Sequence, residues 1–367
     1  MPFSKQDERF MRRALTLARR GIGKTSPNPA VGALLVRKGH IVAEGWHRRA
    51  GGPHAEVFAL RGVNARGATL YVTLEPCSTW GRTPPCAHAI IAAGVKRVVV
   101  AARDPNPKHN GRGLRMLRRA EIRVQAGLLA DEATRMNEAF NKWITTGMPV
   151  VIAKAGMSLD GKIATRTGDA KWITGEAARR EGHRLRALVD AILVGTNTAV
   201  RDDPGLTVRH GVRGQQPWRV VIDTRGRVSR KAKIFTDGQR GRTLVLTTNL
   251  APVAWRRYLS GKGVEAIVLP HKSGRVDLRA ALKALGKRDI TSVLVEGGGE
   301  LLGSFFDAGL VDRVTLFYAP IVIGGRSAVA AVAGKGAAKI RKAVRLGDCR
   351  WRRIGRNEML LEASVAR

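Results

Sequence analysis

Apolar residues recur along this chain with two periods. Phe10, Met11, Leu15, Leu17 and Ala18 lie mostly on one side of a 3.6-residue turn, which predicts an amphipathic helix over residues 7–20. The turn-rich string GIGKTSPNP (21–29) ends it. Residues 31–36 and 41–44 then alternate like a hairpin. A helix over 54–61 follows Gly51-Gly52-Pro53, then a short strand over 69–74, a helix over 84–93 closed by Gly94, and a buried-type strand over 96–101. Hairpin, helix, strand, helix, strand is the order of a small three-layer α/β domain.

The pattern pauses at TTGMP (145–149), so we expect two domains, residues 1–147 and 148–367. The second series predicts strands at 150–155, 191–195, 219–223, 243–248, 266–269, 292–296 and 313–319. Helices are expected over 176–189, with Thr174 as N-cap, and over 277–285 and 300–308. This reads as a second α/β domain with a largely wound sheet. Residues 328–342, rich in Ala, Gly and Lys, carry little structural signal.

Composition narrows the class. At 367 residues and 44% hydrophobic, the chain can bury sizeable cores. No apolar run approaches the ~18–20 residues of a membrane span. Lys5, Asp7, Glu8 and Arg9 precede any apolar stretch, against a secretory signal, and the acids argue against a transit peptide. Three cysteines make no disulfide framework, so a cytoplasmic setting is expected. The net charge of +36 invites a nucleic-acid reading. However, the cations are scattered, often in pairs such as Arg12-Arg13 and Arg256-Arg257, and aromatics for base stacking are only 5%. A basic surface serving anionic small molecules is preferred, with no specific nucleic-acid partner and no membrane.

The strongest chemical signal is His54-Ala55-Glu56, followed by Pro76-Cys77 and Pro85-Cys86. One imidazole and two thiolates suit Zn2+ and leave a fourth position for water. Positions i and i+2 do not share a helix face, so His54 and Glu56 must sit at a helix start, where Glu56 can shuttle protons without ligating. Zinc deaminases share this H-x-E and P-C pattern. Their usual two-residue gap between cysteines is eight residues here, the loop STWGRTPP. The blander reading is a closed structural zinc with Cys349 as fourth ligand; it has no need of Glu56, and Cys349 lies far along the chain.

The long cysteine loop is informative. Thr25-Ser26-Pro27-Asn28-Pro29 with Val31-Gly32, Gly45-Trp46-His47 leading to His54-Ala55-Glu56, Glu75-Pro76-Cys77 with Gly81-Arg82-Thr83-Pro84-Pro85-Cys86, and Asp104-Pro105-Asn106-Pro107 with Asn110-Gly111-x-Gly113 resemble the bifunctional riboflavin-biosynthesis family. In that family a diaminohydroxyphosphoribosylaminopyrimidine deaminase is fused to a 5-amino-6-(5-phosphoribosylamino)uracil reductase. The resemblance continues through Met157-Ser158-Leu159-Asp160-Gly161-Lys162, Trp172-Ile173-Thr174 and Asp202-Asp203-Pro204-x-Leu206-Thr207-x-Arg209, covering nearly the whole chain.

The resemblance implies a cytidine-deaminase-like N-terminal domain and a dihydrofolate-reductase-like C-terminal domain. It implies that His54, Cys77 and Cys86 hold zinc, that Glu56 shuttles protons, and that Asn28 and His47 face the pyrimidine nucleotide. Gly156, Trp172, Thr198, Asp202, Thr224 and the segment Gly298, Gly299, Glu300, Leu301, Leu302, Gly303, Ser304 would line an NADPH site. Ala170, Arg186, Leu206, Arg209 and Glu296 would contact the phosphorylated substrate. Position 170 is Ala, so any contact there through a side-chain hydroxyl is missing. Guanidinium forks at 186 and 209 suit a phosphate. On its own, Val295-Glu296-Gly297-Gly298-Gly299-Glu300 is a poor dinucleotide fingerprint, and tight strand–helix packing explains its glycines equally well. The expected activity is deamination followed by NADPH reduction, in a homo-oligomer. The rivals are a tRNA-type deaminase with an accessory domain and a non-catalytic zinc-stabilised binding protein.

Overall fold

Ser4 starts the first helix, α1 (Lys5–Arg19), with a reciprocal cap: its hydroxyl accepts the Asp7 N–H at 3.1 Å, and the Asp7 carboxylate accepts the Ser4 N–H at 2.9 Å. The computed structural model describes residues 2–80 and 84–366, which form two compact units, Met1–Met148 and Pro149–Arg367. The string Gly81-Arg82-Thr83 of the cysteine loop lies outside the described residues.

In the first unit, strands β1 (Gly32–Arg37), β2 (His40–Trp46), β3 (Thr69–Leu74), β4 (Arg97–Ala102) and β5 (Arg123–Ala126) form one sheet in the order β2-β1-β3-β4-β5. β1 pairs antiparallel with β2 and β3, and the rest are parallel. The helices are α2 (Ala55–Leu60), α3 (Cys86–Ala92), α4 (Arg112–Arg119), α5 (Ala130–Met136) and α6 (Glu138–Thr146). Alternate strand residues feed two cores. Leu34, Tyr71 and Val99 pack with Phe10, Met11 and Leu15 of α1 and Ala133 of α5. Leu35, Leu70, Val72 and Val98 pack with Ala55, Ala59, Ile90 and Leu114 of α2, α3 and α4. Two cores on opposite faces of one sheet make three layers. Gly32 and Gly45 permit the helices to approach: a Cβ at Gly32 would stand 2.0 Å from the Ala14 carbonyl oxygen, and one at Gly45 2.2 Å from that of Ala55.

The second unit holds a nine-stranded sheet. Its strands are β6 (Val150–Ser158), β8 (Ala191–Gly195), β9 (Trp218–Ile222), β10 (Thr243–Thr247), β11 (Glu265–Val268), β14 (Ser292–Val295), β15 (Arg313–Ala319), β17 (Leu346–Ile354) and β18 (Glu358–Val365). The short pairs β12 (His271–Lys272) with β13 (Arg275–Val276), and β7 (Lys162–Ala164) with β16 (Val329–Ala330), lie apart. The sheet order is β11-β10-β9-β8-β14-β6-β15-β18-β17, parallel from β11 to β15 and closed by an antiparallel hairpin. Helices α7 (Glu176–Arg186), α8 (Thr196–Asp202), α9 (Lys233–Thr236), α10 (Val253–Gly261), α11 (Leu278–Gly286) and α12 (Gly299–Asp307) complete the α/β unit. The parallel body with its antiparallel end matches the expected dihydrofolate-reductase-like arrangement.

Several local expectations change. Thr174 is not the cap of α7; Gly175 is, and the helix ends at Arg186 rather than 189. The Gly175 N–H donates to the Glu358 carboxylate at 2.6 Å, so a side chain 183 positions away on β18 does the work of a local cap. The helices α4, α5, α6, α8 and α10 and the hairpin β17–β18 are elements beyond those the pattern predicts. Residues 328–342, silent in sequence, pack on α12: a Cβ at Gly299 would meet the Ala330 carbonyl oxygen at 2.1 Å, and one at Gly303 that of Ala333 at 2.1 Å.

Candidate active sites

His54 is the N-cap residue of α2, so its ring projects off the helix start while Glu56 sits in the first turn. Cys86 opens α3, and Cys77 follows β3. The fold brings the three donor atoms within 4.8 Å of one another: His54 Nδ1 lies 3.2 Å from Cys86 Sγ and 3.6 Å from Cys77 Sγ. Bonds of ~2.0–2.3 Å around a tetrahedral ion separate its ligand atoms by ~3.3–3.8 Å, so this donor set fits zinc. Cys349, the alternative fourth ligand, is exposed on β17 and outside this group.

The electrostatics suit proton traffic. Burial pushes the Glu56 carboxyl upward, against the pull of His54. Cys77 is held down to about 4, by the Cys86 thiol first and by His54 after it. His47 is lowered, by burial above all. Its Nδ1 contacts the Pro53 carbonyl oxygen at 3.0 Å, so Nδ1 carries the proton and Nε2 accepts from the Asn28 amide at 3.2 Å.

These groups open into a cavity of about 270 Å³. Asn28, His47, His54, Glu56 and Cys77 line it, joined by Asp104, Asn106 and His109 and by Phe140, Trp143 and Ile144 of α6. The last three were not singled out in the sequence. Their i, i+3, i+4 spacing was the available signal: an apolar stripe on a helix that buries no residue fully.

In the second unit, a cavity of about 290 Å³ brings together Gly156, Ala170, Trp172, Arg186, Arg209 and Glu296. Arg186 pairs with Glu296, and Lys154, which sequence reasoning missed, stands 3.9 Å from the same carboxylate. Burial alone would raise Glu296; Arg186 and Lys154 hold it at about 2. His183 lines the cavity too, and its Nδ1 accepts the Arg209 backbone N–H at 3.0 Å. Leu206 is buried in the core nearby, with a left-handed φ of 46°.

The remaining expected residues lie apart from that cavity's lining. Thr198 and Asp202 are on α8, Thr224 follows β9, and Gly298–Ser304 open α12. All follow the carboxyl ends of the adjacent parallel strands β8, β9 and β14, the edge where open α/β sheets bind ligands. Gly298 is open, the nearest atom to a Cβ there being Thr198 Oγ1 at 3.9 Å. Gly299, Leu302 and Gly303 are buried in packing, and the Ser304 hydroxyl donates to the Glu300 carbonyl. The Thr224 hydroxyl accepts the Val276 N–H. Burial raises Asp202, and Lys171 and Arg201 oppose it. Trp172 is largely exposed, with the Arg179 guanidinium 4.6 Å from its ring centre.

Comparison with known proteins agrees with both halves. The cytidine and deoxycytidylate deaminase zinc-binding region matches residues 4–102, and the RibD C-terminal domain matches residues 149–360. The riboflavin biosynthesis protein RibD of Bacillus amyloliquefaciens is 44% identical over 332 residues, covering 90% of this chain and 89% of that protein. The Escherichia coli RibD is 45% identical over 333 residues, covering 87% and 89%. Among solved structures, Acinetobacter baumannii RibD superposes with a TM-score of 0.88 at 38% identity, covering 99% of both chains. The Thermotoga maritima diaminohydroxyphosphoribosylaminopyrimidine deaminase/5-amino-6-(5-phosphoribosylamino)uracil reductase superposes at 0.85 with 36% identity, covering 98% and 99%. With both domain types present in order and likeness running nearly end to end, this chain belongs to the RibD family of riboflavin biosynthesis proteins.

Proposed function

We propose that the chain performs two consecutive steps of riboflavin biosynthesis on one phosphorylated nucleotide. The first unit deaminates 2,5-diamino-6-(5-phosphoribosylamino)pyrimidin-4-one hydrolytically. The second reduces the ribosyl group of 5-amino-6-(5-phosphoribosylamino)uracil to ribityl with NADPH. The observation that carries the reading is the buried Glu56 carboxyl sharing one cavity with the His54–Cys77–Cys86 donor set.

His54, Cys77 and Cys86 would hold zinc, which when bound makes hydroxide accessible near neutral pH. Glu56, raised by burial, takes up the proton that water loses and returns it to the departing amine. Neutral His47 fixes the Asn28 amide, and the pair orients the pyrimidine edge. Phe140, Trp143 and Ile144 keep bulk water from that side.

In the second unit, NADPH when bound supplies the hydride. Thr198, Asp202, Thr224 and the open backbone at Gly298 form its seat at the strand ends, with Gly156 and Trp172 toward the substrate cavity. Arg186 is committed to Glu296, and Arg209, which lines the same cavity, is the cation we assign to the substrate's phosphate. Ala170 adds apolar surface to that wall, and Leu206 packs behind it in the core.

The rival reading, deamination of tRNA, has no use for a reductase half, and no observation favours it. No helix of the described residues is long and apolar enough to cross a membrane. We place the protein in the cytoplasm as a homo-oligomer, to be checked by light scattering. The decisive test follows ammonia release and NADPH oxidation separately on zinc-loaded protein. Glu56→Gln should keep its zinc and lose about 100-fold or more of the deamination rate. No ammonia release from the diaminopyrimidine phosphate by the parent chain would sink the proposal.

A further inference from the structure

The segment between β4 and α4 carries Asp104-Pro105-Asn106-Pro107 and Asn110-Gly111-Arg112-Gly113, strings to which the two reactions assign no chemistry. Glu75 decides where this segment lies. Its side chain is buried, and its two oxygens accept backbone N–H groups from this one stretch of chain. Oε2 accepts from Asp104 at 3.3 Å and Gly111 at 2.9 Å; Oε1 accepts from Gly113 at 3.0 Å and Leu114 at 3.4 Å. The segment is therefore pinned at both ends to one carboxylate.

The glycines make this approach feasible. A Cβ on Gly113 would stand 2.0 Å from the Pro76 carbonyl oxygen. Gly111 takes a left-handed φ of 81° as the N-cap of α4. Between the pins, the Asp104 and Asn106 side chains each accept a backbone N–H two residues on, which stiffens the turn.

His109 then docks on Ser78, the residue after Cys77. The Ser78 N–H donates to His109 Nδ1 at 3.3 Å, so the ring proton resides on Nε2. Asp104, Asn106 and His109 all line the cavity that contains His54 and Glu56.

We infer that Glu75 is a positioning residue of the deaminase step: it sets the 104–113 wall so that His109 donates, through Nε2–H, to a ribosyl or phosphate oxygen of the nucleotide. The inference rests on the deaminase reading above. The chemistry explains a carboxylate at position 75. Four donors converge on it, and Glu offers acceptors only, whereas Gln would turn its own N–H groups toward two of them and leave those donors unsatisfied in a buried place.

The test uses the full zinc-loaded chain carrying Glu75→Gln, His109→Ala or both. Zinc content, kcat and KM for ammonia release, and NADPH oxidation on the deaminated substrate are measured for each. Both single variants should keep zinc and full reductase activity. His109→Ala should raise the deaminase KM about tenfold with a smaller change in kcat, and Glu75→Gln should raise it at least as much. The double variant should be no worse than Glu75→Gln alone, because both act through one contact. His109→Ala does not depend on Glu75 variants folding. An unchanged KM in His109→Ala, additive effects in the double variant, or a Glu75→Gln protein that only melts earlier would each overturn the inference while the deaminase reading stands. A parent chain that releases no ammonia would overturn both.

Discussion

Arg186 grips Glu296 with two parallel hydrogen bonds, Nε to Oε1 at 2.8 Å and Nη2 to Oε2 at 2.7 Å, in the wall of the reductase cavity. The Arg186 Nη1 reaches on to the Thr207 carbonyl oxygen at 3.0 Å, tying the pair to the segment that carries Leu206 and Arg209. The pair thus joins the end of α7, the end of β14 and the segment around Thr207.

Glu296→Gln leaves the Arg186 charge buried without its partner. Such a break typically costs ~3–5 kcal/mol. Denaturant unfolding of the second unit should show a loss of that order, accompanied by a higher KM for the ribosyl substrate. An unchanged unfolding midpoint would mean that the pair is solvated in solution.

Acid should weaken the second unit in two stages. His183 is lowered from 6.5 to about 4, by burial first and then by Arg186, His210 and Arg209. The unfolded chain therefore binds more protons than the folded one between those values, and the stability His183 confers is complete above pH 6.5 and lost as pH falls through 4. Glu296, lowered from 4.5 to about 2, adds a second loss as pH falls through that lower range. His183→Gln should flatten the dependence of the thermal midpoint between pH 6.5 and 4. A slope identical to that of the parent would remove His183 as its source.

The two reactions should separate under chelation. Stripping zinc from the His54–Cys77–Cys86 set should abolish ammonia release and leave NADPH oxidation on the deaminated substrate intact. Restoring zinc should restore the first activity. Parallel loss of both activities would tie the metal to the second unit instead.

Two neighbouring glycines should behave differently. Gly303→Ala drives a methyl group into the Ala333 carbonyl and should destabilise the protein by ~1–3 kcal/mol. Gly298→Ala meets nothing closer than 3.9 Å within the chain, so its stability should hold. If NADPH phosphates approach this helix start, the added methyl group raises the KM for NADPH. Equal KM values in parent and Gly298→Ala would place the cofactor elsewhere.

The elements with strong periodicity were legible in sequence. α1, β1–β2, β3 and β4 fall within a few residues of their expected places, because each buries one regular face. The donor set was legible because His-x-Glu and two Pro-Cys pairs are rare residue types at fixed spacing. The helix α6 was missed, although it walls the deaminase cavity. Its stripe of Phe140, Trp143 and Ile144 faces the cavity, and Phe140 also packs on the α1 core, but no residue of the helix is fully buried, so its apolar face is weakly marked. The α7 cap was misassigned because Glu358, which satisfies the Gly175 N–H, is remote in sequence.

The sequence by itself marked the donor types of the first half, since an imidazole, two thiols and a carboxylate at fixed spacing are properties of side chains, whereas the chemistry of the second half was legible only through resemblance to a known family. It also determined the two-unit order, since patterning and the pause near residue 148 are local. Tertiary structure alone decided which remote groups meet around the two cavities. Glu75 collects donors from residues 104–114, Arg186 finds Glu296 110 positions on, and His183 holds the Arg209 backbone. Each of these contacts satisfies a buried polar group with a partner that only folding brings near, and no local pattern records such a debt.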